Sequence, residues 1–238
     1  MCDGDNMKDK FWKPMKALTS ILFLFTVALL MEPSAMAQDW ANLKRFNAEN
    51  AELGQPSKGD SRVVFMGDSI TEGWSDSYPE FFTGKPYVNR GISGQTTGQM
   101  LLRFRQDVIE LRPSIVVILA GTNDIAENQG PTTLDAIADN IKSMVDLAAA
   151  NGITAIVASV LPASEYPWRP GLGPDTKIPA LNELLKAFAA QSGTAYLDYF
   201  STMTDGKNGL KAALTTDGVH LTKQGYEVMS ELVTRVIQ

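Results

Sequence analysis

Short apolar runs alternate with amphipathic stretches along most of this chain. Val63, Val64, Phe65 and Met66 form the first run, and residues 115–120, 153–160 and 195–199 form later ones, with a shorter one at 86–89. Continuous apolar runs of this length mark strands covered on both faces, as in parallel sheets. Between them, apolar residues recur at helical spacing. Met100, Leu101, Phe104, Val108 and Leu111 share one face of a predicted helix over 96–111, which Pro113 ends. Leu134, Ile137, Ile141, Met144 and Val145 stripe a second helix over 133–150, closed by Asn151-Gly152. Pro179 opens a third, to about residue 191, and Thr222 caps a last one bearing Tyr226, Met229, Val233 and Val236. Upstream, Trp40, Leu43, Phe46 and Leu53 predict an amphipathic helix over 39–53, stopped by Gly54. Residues 71–82 predict a short helix and an aromatic-rich loop. Strands alternating with helices give an α/β fold with a parallel sheet covered on both faces.

The polar residues that interrupt this pattern gather where strands end. The first strand runs into Gly67-Asp68-Ser69. Glycine permits the tight turn, and the turn leaves Ser69 at the carboxyl edge of the sheet, where open α/β sheets bind ligands. A serine hydroxyl is a weak nucleophile that needs a base and an oxyanion hole. The second predicted strand is followed by Asn89-Arg90-Gly91-Ile92-Ser93-Gly94, a loop suited to presenting backbone N–H groups. The third is followed by Gly121-Thr122-Asn123-Asp124, and Asn123 offers a side-chain amide donor. His220, the sole histidine, follows Asp217 by three residues, close enough for the carboxylate to hold one ring nitrogen while the other acts as base. A parallel sheet brings the first three loops to one edge, and the His220 loop follows the last strand. Together they supply a nucleophile, oxyanion donors and an oriented base, a set suited to acyl transfer. Asp68 reads as a brace of the serine turn.

Composition limits the setting. The chain has 238 residues, 44% hydrophobic and 20% charged, with a net charge of −6 and no basic cluster in the folded part, which argues against nucleic acid or an anionic membrane as partner. Residues 1–37 read as a signal peptide: Lys8, Lys10, Lys13 and Lys16 precede an apolar stretch over 17–31, then Glu32-Pro33 and an Ala35-Met36-Ala37 cleavage site. Met7 is an alternative start to Met1. Residues 38–238 then form one exported domain, periplasmic or extracellular, without stable membrane association once cleaved. The only cysteine, Cys2, lies ahead of the apolar stretch, so the domain has no disulfide. Neither an H-E-x-x-H motif nor a Cys/His cluster is present, so no metal or other cofactor is expected.

On these motifs the chain resembles the SGNH (GDSL) hydrolase superfamily of esterases and lipases, over nearly all of residues 38–238. The resemblance rests on Gly67-Asp68-Ser69-Ile70, the Gly91 to Gly94 loop, Gly121-Thr122-Asn123-Asp124 and Asp217-Gly218-Val219-His220. It implies a flavodoxin-like three-layer α/β/α sandwich with a five-stranded parallel sheet in the order 2-1-3-4-5. It also implies Ser69 as nucleophile, Asp217 orienting His220, and an oxyanion hole from the Ser69 and Gly94 N–H groups and the Asn123 side chain. Isoleucine stands where the family has leucine after the serine, and the fourth family block is not recognisable. Within the superfamily the chain resembles the platelet-activating-factor-acetylhydrolase-like branch, which includes bacterial carbohydrate acetylesterases.

The expected reaction is therefore hydrolysis of small-molecule or carbohydrate esters, with acetyl and other short acyl groups preferred, through an acyl-serine. The proline-rich loop over 161–177 leaves the fourth strand at the same edge and carries Trp168 and Arg169, candidates to contact a sugar. A lysophospholipase or acyl-thioesterase is the alternative within the enzyme class. Outside it stand a non-catalytic binding module, which the intact Ser69, Asp217 and His220 weigh against, and a flavodoxin-like nucleotide binder, for which the turn after Met66 holds too little glycine.

Overall fold

The apolar runs become five short strands: β1 (Val63–Gly67), β2 (Tyr87–Gly91), β3 (Ile115–Leu119), β4 (Thr154–Ala158) and β5 (Ala195–Leu197). All pair in parallel, in the order β2-β1-β3-β4-β5, the topology the resemblance implies. The computed structural model describes residue 1, residues 39–57 and residues 59–237. The expected signal peptide therefore lies almost wholly outside the described residues.

Period-two alternation splits the strands between two cores. Val64, Met66, Val116, Ile118 and Val157 face one side, whereas Val63, Phe65, Val117, Leu119 and Ile156 face the other. The helices, in chain order, are α1 (Asn47–Leu53), α2 (Ser69–Ser77), α3 (Thr97–Asp107), α4 (Thr122–Ile125), α5 (Leu134–Ala150), α6 (Pro174–Ser192), α7 (Phe200–Met203) and α8 (Lys223–Ile237). Helices α3, α5 and α6 cover the first face through Met100, Phe104, Ile137, Ile141, Leu181 and Leu185. Helices α2 and α8 cover the second through Ile70, Trp74, Tyr226, Met229 and Val233. The result is a three-layer α/β/α sandwich.

Several boundaries depart from the sequence pattern. The helix expected over 39–53 is confined to α1, Asn47–Leu53. Ahead of it the Asp39 carboxylate accepts from the N–H groups of Leu43 and Lys44 at 2.7 and 3.0 Å, and Asn42 turns left-handed at φ 55°. Such side-chain-to-backbone bonds compete with helix. The helix expected over 96–111 stops at Asp107, and a 3₁₀ turn, Ile109–Leu111, follows it to a left-handed Arg112. Helix α6 begins at Pro174 rather than Pro179, because Pro174 takes the first helical position, where no N–H is needed, and Pro179 lies inside. The loop expected to reach Lys177 ends accordingly at Gly173. Thr222 does cap α8, accepting from the Gly225 N–H at 3.2 Å.

Aromatic packing fixes α2, the helix after the serine turn. Phe65 meets Trp74, Phe81, Phe82 and Tyr87 edge-on at 5.4–5.6 Å, and Trp74 stacks on Phe81 at 4.7 Å. The Trp74 indole N–H donates to Ser230 Oγ at 3.1 Å, tying α2 to α8. At the end of β2, Gly91 lies against the first turn of α2. A Cβ there would overlap the backbone of Glu72 and Asp68. Gly91→Ala must therefore part β2 from α2, and overpacking of this kind typically costs about 1–3 kcal/mol. Urea unfolding of the variant should show a lower midpoint with an unchanged slope; an unchanged midpoint would refute this contact.

Candidate active site

The sequence builds the serine turn from three adjacent residues. At Gly67 a Cβ would collide with the Thr71 side chain, so only glycine lets the strand close onto the helix. Asp68 is the N-cap of α2, its Oδ1 accepting from the Ile70 N–H at 3.0 Å. Burial pushes the Asp68 carboxyl up to about 7, against the opposing pull of that hydrogen bond and of His220. Asp68 thus braces the turn, as the sequence suggests. Ser69 is the first residue of α2, where the helix dipole favours negative charge. Its N–H makes no hydrogen bond among the described residues.

Ser69 Oγ lies 3.0 Å from His220 Nε2, although 151 positions separate them. His220 Nδ1 lies 2.7 Å from Asp217 Oδ2. Asp217 Oδ1 accepts from the N–H groups of Val219 and His220 at 2.9 and 2.7 Å. Partial burial pushes the Asp217 carboxyl up, but the His220 ring and the two backbone donors outweigh it and hold it below the usual carboxylate range. An ionised carboxylate only accepts, so Nδ1 carries the ring proton and the Nε2 lone pair faces the serine hydroxyl. A single turn makes this assembly: Gly218 sits at φ 92° with its N–H on Thr215 Oγ1 at 2.8 Å, and the Thr216 N–H reaches the His220 carbonyl at 3.0 Å.

The other predicted donors come to the same edge. Gly94 is left-handed at φ 77°, and its N–H has no acceptor among the described residues. Asn123 is buried. Its Nδ2 donates to the Gln95 carbonyl at 3.1 Å, and its Oδ1 accepts from Asn128 Nδ2 at 2.7 Å. An amide has two N–H donors, so one remains for a ligand. The two substrate candidates behave differently. The Trp168 ring centre lies 6.0 Å from that of His220, with its indole N–H on Asn128 Oδ1 at 3.3 Å. Arg169 Nη1 donates to the Glu127 carbonyl at 2.8 Å, so its guanidinium braces the neighbouring turn.

One residue that sequence reasoning missed is Arg103. It is fully buried in α3. Its Nη2 donates to the carbonyls of Gly67 and Arg90 at 3.0 and 2.9 Å, its Nε to Gln95 Oε1 at 2.6 Å, and its Nη1 to Asp107 Oδ2 at 3.1 Å. Burial lowers the guanidinium to about 10, and Asp107 opposes that, so it stays charged at neutral pH. The missed signal was periodic: Arg103 and Asp107 share the helix face of Met100 and Phe104. Asp124 is a second anchor, accepting from the Thr97 N–H and hydroxyl at 2.9 and 2.6 Å and joining α4 to the start of α3.

Residues 65–228 match the profile of the GDSL-like Lipase/Acylhydrolase family. Esterase TesA of Pseudomonas aeruginosa is 30% identical over 166 residues, covering 68% of this chain and 76% of its own. The crystal structure of a GDSL-like lipase from Bacteroides thetaiotaomicron is 48% identical, covers 83% of this chain and 97% of its own, and superposes with a TM-score of 0.81. A Bacteroides fragilis protein of known structure is 49% identical, covers 84% and 97%, and has the same TM-score.

Arg103→Met should be severe, because removing one partner of a buried ion pair typically costs about 3–5 kcal/mol. Among the described residues Asp107 then keeps only its bond from Asn50 Nδ2, at 2.8 Å. Arg103→Lys keeps the charge but cannot reach four acceptors at once. The expected result for the lysine variant is a folded protein with a lower unfolding midpoint and a kcat loss exceeding any change in KM. Wild-type kcat in Arg103→Lys would show that the guanidinium does not position the site.

Proposed function

The chain belongs to the GDSL-like lipase/acylhydrolase family of the SGNH hydrolases, and on that premise we propose that it removes short acyl groups, chiefly acetyl, from carbohydrate esters through an acyl-serine. That it is a carboxylic ester hydrolase follows from the family. The hydrogen-bonded line from Ser69 through His220 to Asp217, at 3.0 and 2.7 Å, carries the assignment of residues.

In this reading His220 Nε2 takes the Ser69 proton as Oγ attacks the ester carbonyl. Asp217 stabilises the resulting imidazolium without taking the proton. The carbonyl oxygen becomes an oxyanion among the Ser69 N–H, the Gly94 N–H and the free Asn123 N–H, each such donor being worth about 10²–10³ in rate. The intermediate collapses, the C–O bond to the leaving alcohol breaks, and His220 gives the alcohol its proton. Water, activated by His220, then adds to the acyl-serine and releases the acid. A sugar alcohol suits the rim better than a lipid tail does, because the exposed indole of Trp168 offers a flat face beside His220. Residues 1–37 are read as a cleaved export signal, which makes the enzyme periplasmic or extracellular; intact mass of exported protein starting elsewhere than Gln38 would contradict this. Among the described residues no helix is long and apolar enough to cross a membrane.

Ser69→Ala should fold and lose nearly all esterase activity, and a fluorophosphonate should label Ser69 rather than Ser93. In the wild type, kcat/KM should rise with pH as the imidazole loses its proton, since only neutral imidazole can act as base. His220→Ala should abolish that limb and cost about 10²–10⁴ in kcat/KM. Labelling at Ser93, or a preserved low-pH limb without His220, would overturn the assignment.

For the acyl group, p-nitrophenyl acetate should be cleaved with higher kcat/KM than the octanoate or decanoate, and acetylated xylan should release acetate. Trp168→Ala should reduce activity on the sugar ester more than on the aryl ester. A kcat/KM that climbs steadily from acetate to decanoate would instead indicate a lysophospholipase or thioesterase.

A further inference from the structure

Beside the oxyanion loop lies a cavity of about 430 Å³. Its walls include Trp40, Asn42, Ser93, Gly94, Asn128 and Gln129. Gly94 and Asn128 place it against the candidate catalytic centre, since Asn128 Nδ2 holds Asn123 Oδ1 at 2.7 Å and reaches the Gly94 carbonyl at 3.4 Å. Two tryptophans flank the turn that carries Asn128. Trp168 donates to Asn128 Oδ1 at 3.3 Å, and Trp40 donates to Gln129 Oε1 at 2.8 Å. Neighbouring residues of one turn thus pin two indoles, each of which leaves more than two-fifths of its surface exposed, 42% for Trp168 and 45% for Trp40.

The chemistry of the lining selects the ligand. Among the described residues no lysine or arginine borders the cavity, so an anionic group would find no cationic partner there. Its one charged side chain, Asp39, is engaged by the Leu43 and Lys44 N–H groups. Among the described residues, Ile92 is the only sizeable apolar side chain on the wall apart from Trp40, too little to cover an acyl tail, which would also strand the amides without hydrogen bonds. Amides that both donate and accept, set beside an indole face, match a ring of hydroxyls over C–H bonds. Gln129 Nε2 and the Asn42 side-chain amide have no hydrogen-bond partner among the described residues, and both side chains are exposed, free to engage such a ring. The volume lies within the range of small-molecule sites, about 300–1,000 Å³.

We propose that this cavity is a second sugar subsite, so that the enzyme acts on acylated oligosaccharides: the ester-bearing unit lies under Trp168 and the adjoining unit packs on Trp40. The proposal rests on the carbohydrate-ester reading and adds chain length to it. Because Gln129 already holds the Trp40 ring in place, little side-chain freedom is lost on binding. The gain should therefore appear chiefly as a lower KM for longer substrates.

The test compares wild type, Trp40→Ala, Trp40→Phe and Gln129→Ala on monoacetylated methyl xyloside, acetylated xylotriose and p-nitrophenyl acetate. The wild type should favour the trisaccharide over the monosaccharide at least tenfold in kcat/KM, mainly through KM. Trp40→Ala should bring that ratio close to one, and Trp40→Phe, which keeps a stacking face, should retain most of it. Gln129 is exposed, so Gln129→Ala should fold and reduce the ratio severalfold even if Trp40→Ala does not fold. Equal wild-type activity on the two sugars, or a ratio unmoved by these variants, overturns the proposal. So does a shift in acyl-length preference in Trp40→Ala, which would make the cavity an acyl pocket. Cleavage of the aryl ester with no cleavage of either sugar overturns the carbohydrate-ester reading itself, and this subsite with it.

Discussion

The guanidinium of Arg103 is the point on which the site depends. Strands β1 and β2 end side by side, and each leaves a carbonyl, on Gly67 and Arg90, at the place where the chain departs for a functional loop. Arg103 Nη2 holds both. Its Nε holds the Gln95 side chain, and the Gln95 backbone carbonyl in turn accepts from Asn123 Nδ2. One cation therefore sets the ends of two strands and, through Gln95, the loops that bear Gly94 and Asn123. A neutral side chain could not satisfy these acceptors in so buried a layer, and unsatisfied buried carbonyls are costly. Asp107 keeps the cation from being left unpaired.

The layer around Arg103 explains the N-terminal segment. Arg90 donates to Asn50 Oδ1 at 3.0 and 2.7 Å and lies 4.5 Å over the Phe46 ring. Gln95 donates to the Ala41 carbonyl, Gln99 to that of Trp40 and Gln106 to that of Leu43. Amides from α3 and the loop before it thus strap residues 40–43 in place. That brings Trp40 to the rim of the site and roofs the buried charges with Phe46. The same amides supply the donors that water would otherwise provide to the carbonyls of an irregular segment.

This explains what the sequence made legible. Runs such as Val63 to Met66 and 115–120 carry a strand's requirement in themselves, because burial on both faces needs apolar residues at every position. Sheet order was legible only through the family resemblance; given that order, the edge that collects Ser69, Gly94, Asn123 and His220 lies where the chain switches direction beside β1. Only the second half of 39–53 is helical: ahead of Asn47 the apolar spacing is still helical, but the backbone is decided elsewhere, by Asp39 and by the glutamines of α3 and the loop before it. For Arg169 the residue type suggests a ligand contact, and the sequence does not show that its Nη1 meets a carbonyl of the 127–130 turn. Arg103 is hard to read from sequence because a charged residue on an apolar helix face breaks the periodicity that marks the core. Such a break, repeated one turn later by Asp107, is the signature of a buried pair.

The line from Ser69 through His220 to Asp217 places one further demand on the fold. Asp217 and His220 occupy one turn, so their mutual geometry is local and survives any movement of that turn as a body. The distance from His220 to Ser69 is not local. It depends on how α2, which Ser69 begins, packs against α8, which follows His220. That packing runs through Trp74, held by Phe65 and Phe81 on one side and by Ser230 and the ring of Tyr226 on the other. Aromatic rings are stiff and bury large areas, so they suit a joint that must hold a hydrogen-bonding distance without being part of the chemistry. The aromatic-rich stretch after the serine is thus the second half of the frame of the candidate site: Arg103 fixes where the loops that carry Ser69 and Gly94 begin, and Trp74 fixes how far His220 stands from Ser69.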